Sequence, residues 1–417
     1  MHSIDRRTLI RGAAGAAALT QLPGALRTAW AADEPVAGDV IAGKSARMIV
    51  HNAKIGVMET PLELLREQRL TPKEIVYNRT HFPVTGDGKW VATLAVPRPD
   101  DVQNWTIEIG GMVQRPKKIR VADLQKMQRV TRTSVMQCAG NGRSYYWAKA
   151  KTPGSGWKHG GMANLQWEGV PLLPLLESLD LSPDASVRYV TANGKDRPPV
   201  EGGADMIKSV PMAAPQMKDA ILALRMNGED IPTIHGGPVR LIVPGYYGNM
   251  CVKWVTDLAL TPEETPSALM QKTYRMPIMQ VEPGKFTAQD LTQRNSDPTY
   301  GFRVMSVVFA PLAGETVRGG NVELRGVAFN DGVVPLAEIR VSLDQGRTWI
   351  DTDFEAPDGP YGWVRWQRRL RLPTGKHEVW VRAVDGWGRS QPLDGLTTWN
   401  PGGWCWHGVD RVAFAVA

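Results

Sequence analysis

The run Met136-Gln137-Cys138-Ala139-Gly140-Asn141-Gly142-Arg143 sets a thiol at the end of an apolar stretch, then a glycine-rich turn, then a guanidinium. Thiolate is a soft ligand suited to a polarizable metal. Glycines let a backbone come close to a bound group, and the exposed amides of such a turn favour anions. Arg143 is expected to lower the thiol pKa by favouring the anion. A lone cysteine before a turn is also an ordinary small core side chain, so these residues alone leave both readings open. The chain has three cysteines, Cys138, Cys251 and Cys405, so at least one is free of any intramolecular disulfide. Their spacing is not that of a zinc site. No C-x-x-C-H occurs, so no c-type haem is expected on this chain.

The elements that must position Cys138 are short. RTSVMQCAGN reads as a strand running into the turn. Before it come a helix in TPLELLREQ, a strand in WTIEIGGMV and a helix in VADLQKM. After it, WEGVPLLPLLESL reads as the start of a helix, ASVRYVTAN as a strand, and PVRLIVPG as an apolar β-branched strand closed by Pro-Gly. There is no regular βαβ rhythm and no G-x-G-x-x-G after a strand, which disfavours a dinucleotide-binding fold. Past residue 295 the texture changes. GFRVMSVVFA, NVELRGVAFN, AEIRVSLDQG, YGWVRWQRRLRL, HEVWVRAVDG and RVAFAVA alternate, with turn residues at roughly ten-residue spacing. The fold class is therefore α+β, with a mixed α/β domain followed by an all-β, immunoglobulin-like sandwich. The expected divisions are 1–31 as a leader, 32–75 as an N-terminal extension, 76–285 as the catalytic domain and 286–417 as the sandwich.

At 417 residues the chain is too long for one core. Hydrophobic residues make up 42% and charged residues 22%, as in an ordinary globular protein. Arg6-Arg7, an apolar run and Ala29-Trp30-Ala31 together form a twin-arginine export signal with a small-x-small cleavage site. That address carries folded proteins, so it predicts a periplasmic protein that takes up a cofactor before export. Cleavage after Ala31 removes four arginines and one aspartate, and takes the formal charge from +7 to +4. A mildly basic surface suits an anionic substrate or an acidic partner. There is no dense Lys/Arg tract and no nucleic-acid motif, so nucleic-acid binding is not expected. Nothing after the leader is apolar over the roughly 20 residues a membrane span needs.

QCAGNGR resembles the molybdenum-ligand segment of the sulfite oxidase family. The resemblance continues in order along nearly all of the mature chain. NRTHFPV (78–84) is similar to the family's Arg-x-His segment, MNGEDIP and HGGPVRLIVPGYYGNMCVKW (235–254) to its pterin-phosphate segment, and WEGVPLLPLL to its helix beside the cofactor. RAVDGWGRSQP and TTWNPGGW are similar to its C-terminal dimerisation domain. The resemblance implies a molybdenum-molybdopterin cofactor with Cys138 as the protein's metal ligand. It implies oxidation of sulfite to sulfate, the two electrons going to an external acceptor such as a periplasmic c-type cytochrome, and a homodimer. In the site, Arg79 would face the sulfite oxyanion with Arg143 in the same pocket. Trp157 would form a pocket wall, and Tyr274 in MQKTYRMP would hydrogen-bond near the metal. His81 would donate to the cofactor, with Asn78 beside it. His235, Arg240 and Lys253 would hold the pterin phosphate, Asp196 or its competitor Asp205 the pterin ring, and Ser209 would add a contact.

One position departs from the pattern. Trp406-His407 is followed by Gly408, where animal and plant members carry a basic residue, so Arg411 is a candidate substitute. Other readings stay open. A sulfane dehydrogenase subunit of a thiosulfate-oxidising complex would share leader, fold and cofactor but carry Cys-Ser-Gly-Asn. A reductase of oxidised methionine would lack the sandwich. A non-catalytic periplasmic sandwich protein would contain no molybdenum. The sequence leaves open the acceptor, the oligomer and whether Cys251 and Cys405 pair.

Overall fold

The protein is described here by a computed structural model covering residues 37–82, 93–179, 186–198 and 201–417. The twin-arginine leader and Pro83-Val84 lie outside the described residues. No described helix is long and apolar enough to cross a membrane.

Two five-stranded sheets make the first domain. One runs Glu229–Asp230, Ile221–Met226, Met162–Pro171, Val130–Gln137, with Arg240–Ile242 also beside Ile221–Met226; every pairing is antiparallel. The other runs Lys117–Arg120, Thr106–Gly111, Val255–Thr261, Tyr189–Gly194, Lys208–Pro211, and its single parallel pairing joins Val255–Thr261 to Thr106–Gly111. This is the mixed order expected where no βαβ rhythm exists. Residues of both sheets, among them Ile107, Val190, Leu222, Leu224, Leu241 and Leu258, share one buried cluster. The helix Leu172–Ser178 adds Leu172, Leu175 and Leu176 to it at helical spacing.

That helix starts later than its sequence suggested. Trp167 to Pro171 belong to the strand Met162–Pro171, paired with residues 221–226. A Cβ on Gly169 would lie 2.2 Å from the Leu222 carbonyl oxygen, so the two backbones touch there and the chain stays extended until Pro171.

The sandwich packs a four-stranded sheet (Met305–Ala310, Asn321–Phe329, Val364–Arg371, Asp353–Phe354) on a five-stranded one (Thr316–Val317, Asp410–Val416, Gly375–Asp385, Leu336–Ser342, Ile350–Asp351). Alternation sets the inner face: Val412, Phe414 and Val416 are buried while Arg411 and Ala413 are exposed.

Two segments cross between the domains and shape the site. The stretch before strand Asp410–Val416 leaves the sandwich and lies on the Cys138 turn: the Cys405 amide donates to the Ala139 carbonyl at 2.7 Å. The stretch after Ile49–Asn52 pairs Met58 with Asn78 through both backbone hydrogen bonds. Its Glu59 carboxylate accepts from the backbone amides of Lys158 and Gly160 and is paired with His51.

Candidate active site

Cys138 follows the last residue of Val130–Gln137. Its amide donates to the Gly161 carbonyl at 2.8 Å, and its own carbonyl accepts from Asn141 at 2.9 Å. These bonds, with the Asn141 side chain held by the Gly161 amide at 2.8 Å, bend the chain so that Sγ leaves the sheet beside the Gly140 amide, 3.4 Å away. Gly142 takes φ +79°, and a Cβ there would lie 2.5 Å from Trp406. The turn therefore needs glycine for its conformation and for the indole packed on it.

The thiol opens on a cleft bordered by Tyr77, Arg79, Thr80 and His81 from one side and by Asp196, His235, Arg240, Lys253 and Tyr274 from the others. Its charge is one-sided. Arg240 and His235 are buried and Lys253 is half-buried, against Asp196 as the one carboxylate among the described residues on the rim. The Arg240 guanidinium donates to the carbonyls of Cys251 (3.1 Å) and His235 (2.9 Å). The Lys253 ammonium donates to the Ile234 carbonyl (2.8 Å) and the Thr80 hydroxyl (3.3 Å). Burial, reinforced by Arg240, holds Lys253 well below an ordinary lysine, and burial with Lys44, Lys253 and Arg240 holds His235 well below an ordinary histidine. Burial and Asp205 push Asp196 up to about 6. Uncompensated buried cations are costly; an anionic group in the cleft would relieve them.

On the other wall the Tyr274 hydroxyl and His81 Nε2 are 2.6 Å apart. Burial and four surrounding cations, Arg79 first, hold His81 well below its usual range, while burial pushes the phenol up to about 12. Near neutrality both groups are therefore uncharged, and the His81 tautomer sets which of the two donates.

Other expectations are corrected. Burial outweighs Arg143, so the Cys138 thiol is raised rather than lowered; a metal would have to displace its proton. Arg143 itself is buried behind the turn, donating to the carbonyls of Gly402 and Ser155. It reaches the cleft through its field on Cys138 and Tyr274. Trp157 is fully buried one layer back, edge-on to Tyr77 at 5.9 Å, and does not border the cleft. The Asn78 amide is spent on the Gly56 carbonyl at 2.7 Å. The Ser209 hydroxyl lies between Thr191 and the Thr265 amide, each at 2.8 Å. Between the two aspartates, Asp196 borders the cleft, while Asp205 is occupied by the Met206 amide and Asn193. Arg411 does not replace a basic residue at Gly408. Strand alternation turns it outward, over Trp380 at 3.9 Å. Cys251 and Cys405 are both free and buried.

Sequence reasoning missed two buried lysines. Lys44, from the 32–75 extension, donates to the carbonyls of Val76 (2.6 Å) and Lys73 (2.7 Å) and stands 3.0 Å from His235 Nε2. Lys208 lies 4.4 Å over the Tyr274 ring. Neither sits in a telling motif; only tertiary contact reveals them. Among the described residues no cluster of three or more His, Cys, Asp or Glu side chains could hold a metal ion. A metal at Cys138 would take its remaining ligands from a bound group.

Comparison with known proteins agrees with this geometry. Residues 93–269 match the family described as "oxidoreductase molybdopterin binding domain", and residues 296–412 match "Mo-co oxidoreductase dimerisation domain". Sulfite oxidase of Arabidopsis thaliana is 27% identical over 84% of this chain and 90% of its own. Mitochondrial sulfite oxidase of Homo sapiens is 30% identical over 91% of this chain and 67% of its own. The crystal structure of the sulfane dehydrogenase SoxCD from Paracoccus pantotrophus aligns with a TM-score of 0.68 over 95% of this chain and 91% of that chain, at 23% identity, a likeness of fold.

Proposed function

From a chain that belongs to the sulfite oxidase family of molybdopterin oxidoreductases, we propose oxidation of sulfite to sulfate at a molybdenum centre held by Cys138. The two electrons would pass to an external periplasmic acceptor such as a c-type cytochrome. The observation that carries this reading is the Cys138 thiol, at the end of strand Val130–Gln137, opening on a cleft whose rim carries Arg79, His235, Arg240 and Lys253.

The residues fit the group. A soft sulfur is the donor type molybdenum takes, and the cations need an anion. Arg240, Lys253 and His235 would hold the pterin phosphate, and Asp196, pushed up to about 6 by burial, would face the pterin ring. When bound, the cofactor supplies the two-electron redox couple for the conversion of sulfite and water to sulfate, two electrons and two protons.

The protein's own part is positional and electrostatic. Arg79 borders the cleft, and among the described residues its guanidinium hydrogen-bonds to the adjacent Thr80 carbonyl alone, which leaves donors to meet an oxyanion. Arg143 adds positive field from behind the turn. The Tyr274 hydroxyl is held by His81 Nε2; with the Nε2–H tautomer donating to it, the phenol's own O–H would be left for an oxyanion in the cleft. Pairing two chains through the sandwich would give a homodimer, as the name of the matched 296–412 domain suggests.

The test is metal and pterin analysis of the purified protein, with sulfite-dependent reduction of cytochrome c compared with ferricyanide and oxygen. Molybdenum near one per chain with sulfite turnover is expected. A loaded protein inert to sulfite but active on a sulfane sulfur donor would replace this reading with the sulfane dehydrogenase one.

A further inference from the structure

Four side chains far apart in sequence pile up beside the cleft. The Arg143 guanidinium lies 4.4 Å from the centre of the Trp404 ring. Trp404 stacks on Tyr274 at 4.5 Å, with 27° between the planes. The Lys208 ammonium lies 4.4 Å from the centre of the Tyr274 ring. An indole and an ammonium that close to one ring centre cannot share a face, so the phenol is held between them. Its edge carries the hydroxyl to His81 at 2.6 Å. The Trp404 indole N–H donates to the Thr273 carbonyl, which ties the upper layer to the residue before Tyr274.

Lys208 is the unexpected member. It is fully buried, and among the described residues it has no carboxylate at ion-pair distance. Glu264, the acid whose field reaches it, is already paired with Arg275 at 2.8 Å. The Lys208 ammonium donates to the carbonyl of Leu269, the first residue of the π-helical turn Leu269–Thr273 that delivers Tyr274. π-turns are frequent where a functional side chain must be aimed. One ammonium thus grips both the start of the turn and the ring at its end. Burial pulls its pKa down to about 7, a sign of what the uncompensated charge costs. An apolar side chain would avoid that cost, so the charge calls for a use. A cation on a π face attracts the ring and favours negative charge beyond it.

We propose that Lys208 is a positioning residue for Tyr274: it clamps the phenol against Trp404 and lends positive field to the hydroxyl that meets the substrate oxyanion. This rests on the sulfite reading of the cleft. Lys208 touches neither substrate nor cofactor and acts through the ring.

The experiment is a double-mutant cycle on molybdenum-loaded enzyme with Lys208→Met, Tyr274→Phe and both. Lys208→Met is expected to lower kcat/KM for sulfite about tenfold, mostly through KM, at unchanged molybdenum content. Sulfate affinity, read by calorimetry without turnover, should weaken by a similar factor. In the Tyr274→Phe background the same change should cost less than about twofold, because the hydroxyl through which it acts is gone. A second tenfold loss there would overturn the proposal. Lys208→Arg keeps the charge and should retain at least about a third of kcat/KM; a loss as deep as that of Lys208→Met would also overturn it. Where the apolar variant does not accumulate, Lys208→Gln takes its place, since it keeps a donor for the Leu269 carbonyl and loses only the charge. Wild-type turnover of a sulfane donor and not of sulfite would sink the functional reading alone, and the coupling between 208 and 274 measured with that donor would still decide this proposal.

Discussion

Arg79→Gln separates substrate binding from folding more cleanly than any other change in the cleft. The guanidinium's hydrogen bond goes to the neighbouring Thr80 carbonyl, so among the described residues its removal breaks no hydrogen bond between elements. Stability should change by less than about 1 kcal/mol, as at a surface position. What is lost is a cation facing the oxyanion. One charge-assisted hydrogen bond contributes roughly 1.5–3 kcal/mol, or about 10- to 150-fold in affinity. Arg79 is only half-buried, so solvent and salt screen it. Arg143 and Lys253 remain nearby, which places the effect in the lower part of that range, about 10- to 40-fold. The contact exists with substrate and with product alike, so the loss should fall on KM with kcat within about threefold. The assay is steady-state turnover with sulfite at two ionic strengths, on protein whose molybdenum content matches wild type. The KM ratio of variant to wild type should shrink as salt rises. An unchanged KM at full metal content would remove Arg79 from the substrate pocket, and an equal fall in kcat would assign it to the transition state instead.

Cys138→Ser should keep the fold and the pterin, because a hydroxyl fills almost the same half-buried space, but abolish turnover; near-normal sulfite oxidation would refute the ligand assignment. Gly142→Ala should destabilise by about 2–5 kcal/mol, combining roughly 1–2 for a left-handed non-glycine residue with about 1–3 for a methyl driven into Trp406. A melting temperature unchanged from wild type would show that the Trp406 segment yields easily. Burial pulls both Lys44 and Lys208 from 10.5 to about 7, so above pH 7 the unfolded chain binds protons that the folded one has shed. Stability of cofactor-free protein should therefore rise from pH 7 to about 8.5, below the range where the buried thiols act in the opposite sense. A melting temperature that falls across that window would contradict the burial of these charges.

Much of this protein is written locally. Alternating runs past residue 295 mark the sandwich strands, because one face of each is buried and the other wet. The Cys138 turn is legible because its thiol, glycines and arginine are consecutive. Arg79, His81, His235, Arg240, Lys253 and Tyr274 sit in short runs whose residue types suit anion contact, and all six border one cleft. Local pattern failed where direction or distance decides. Asn78 lies between the cleft residues Tyr77 and Arg79 yet spends its side chain on Gly56, since neighbours along a chain need not point the same way, and Ser209 spends its own on Thr191 and Thr265. Arg411 follows Asp410 by one residue and so turns outward. Arg143 stands near Cys138, but desolvation of the thiol outweighs its charge, and desolvation is a property of the whole surrounding shell.

By itself, then, the sequence determined which residue types could serve a soft metal and an oxyanion, and the alternation that builds the sheets around them. Only the tertiary structure decided who meets whom. Lys44 reaches His235 across 191 residues, and Trp404 closes over Tyr274 from the segment before the last sandwich strand. Such contacts depend on how sheets and crossing segments pack, and no spacing along the chain encodes them.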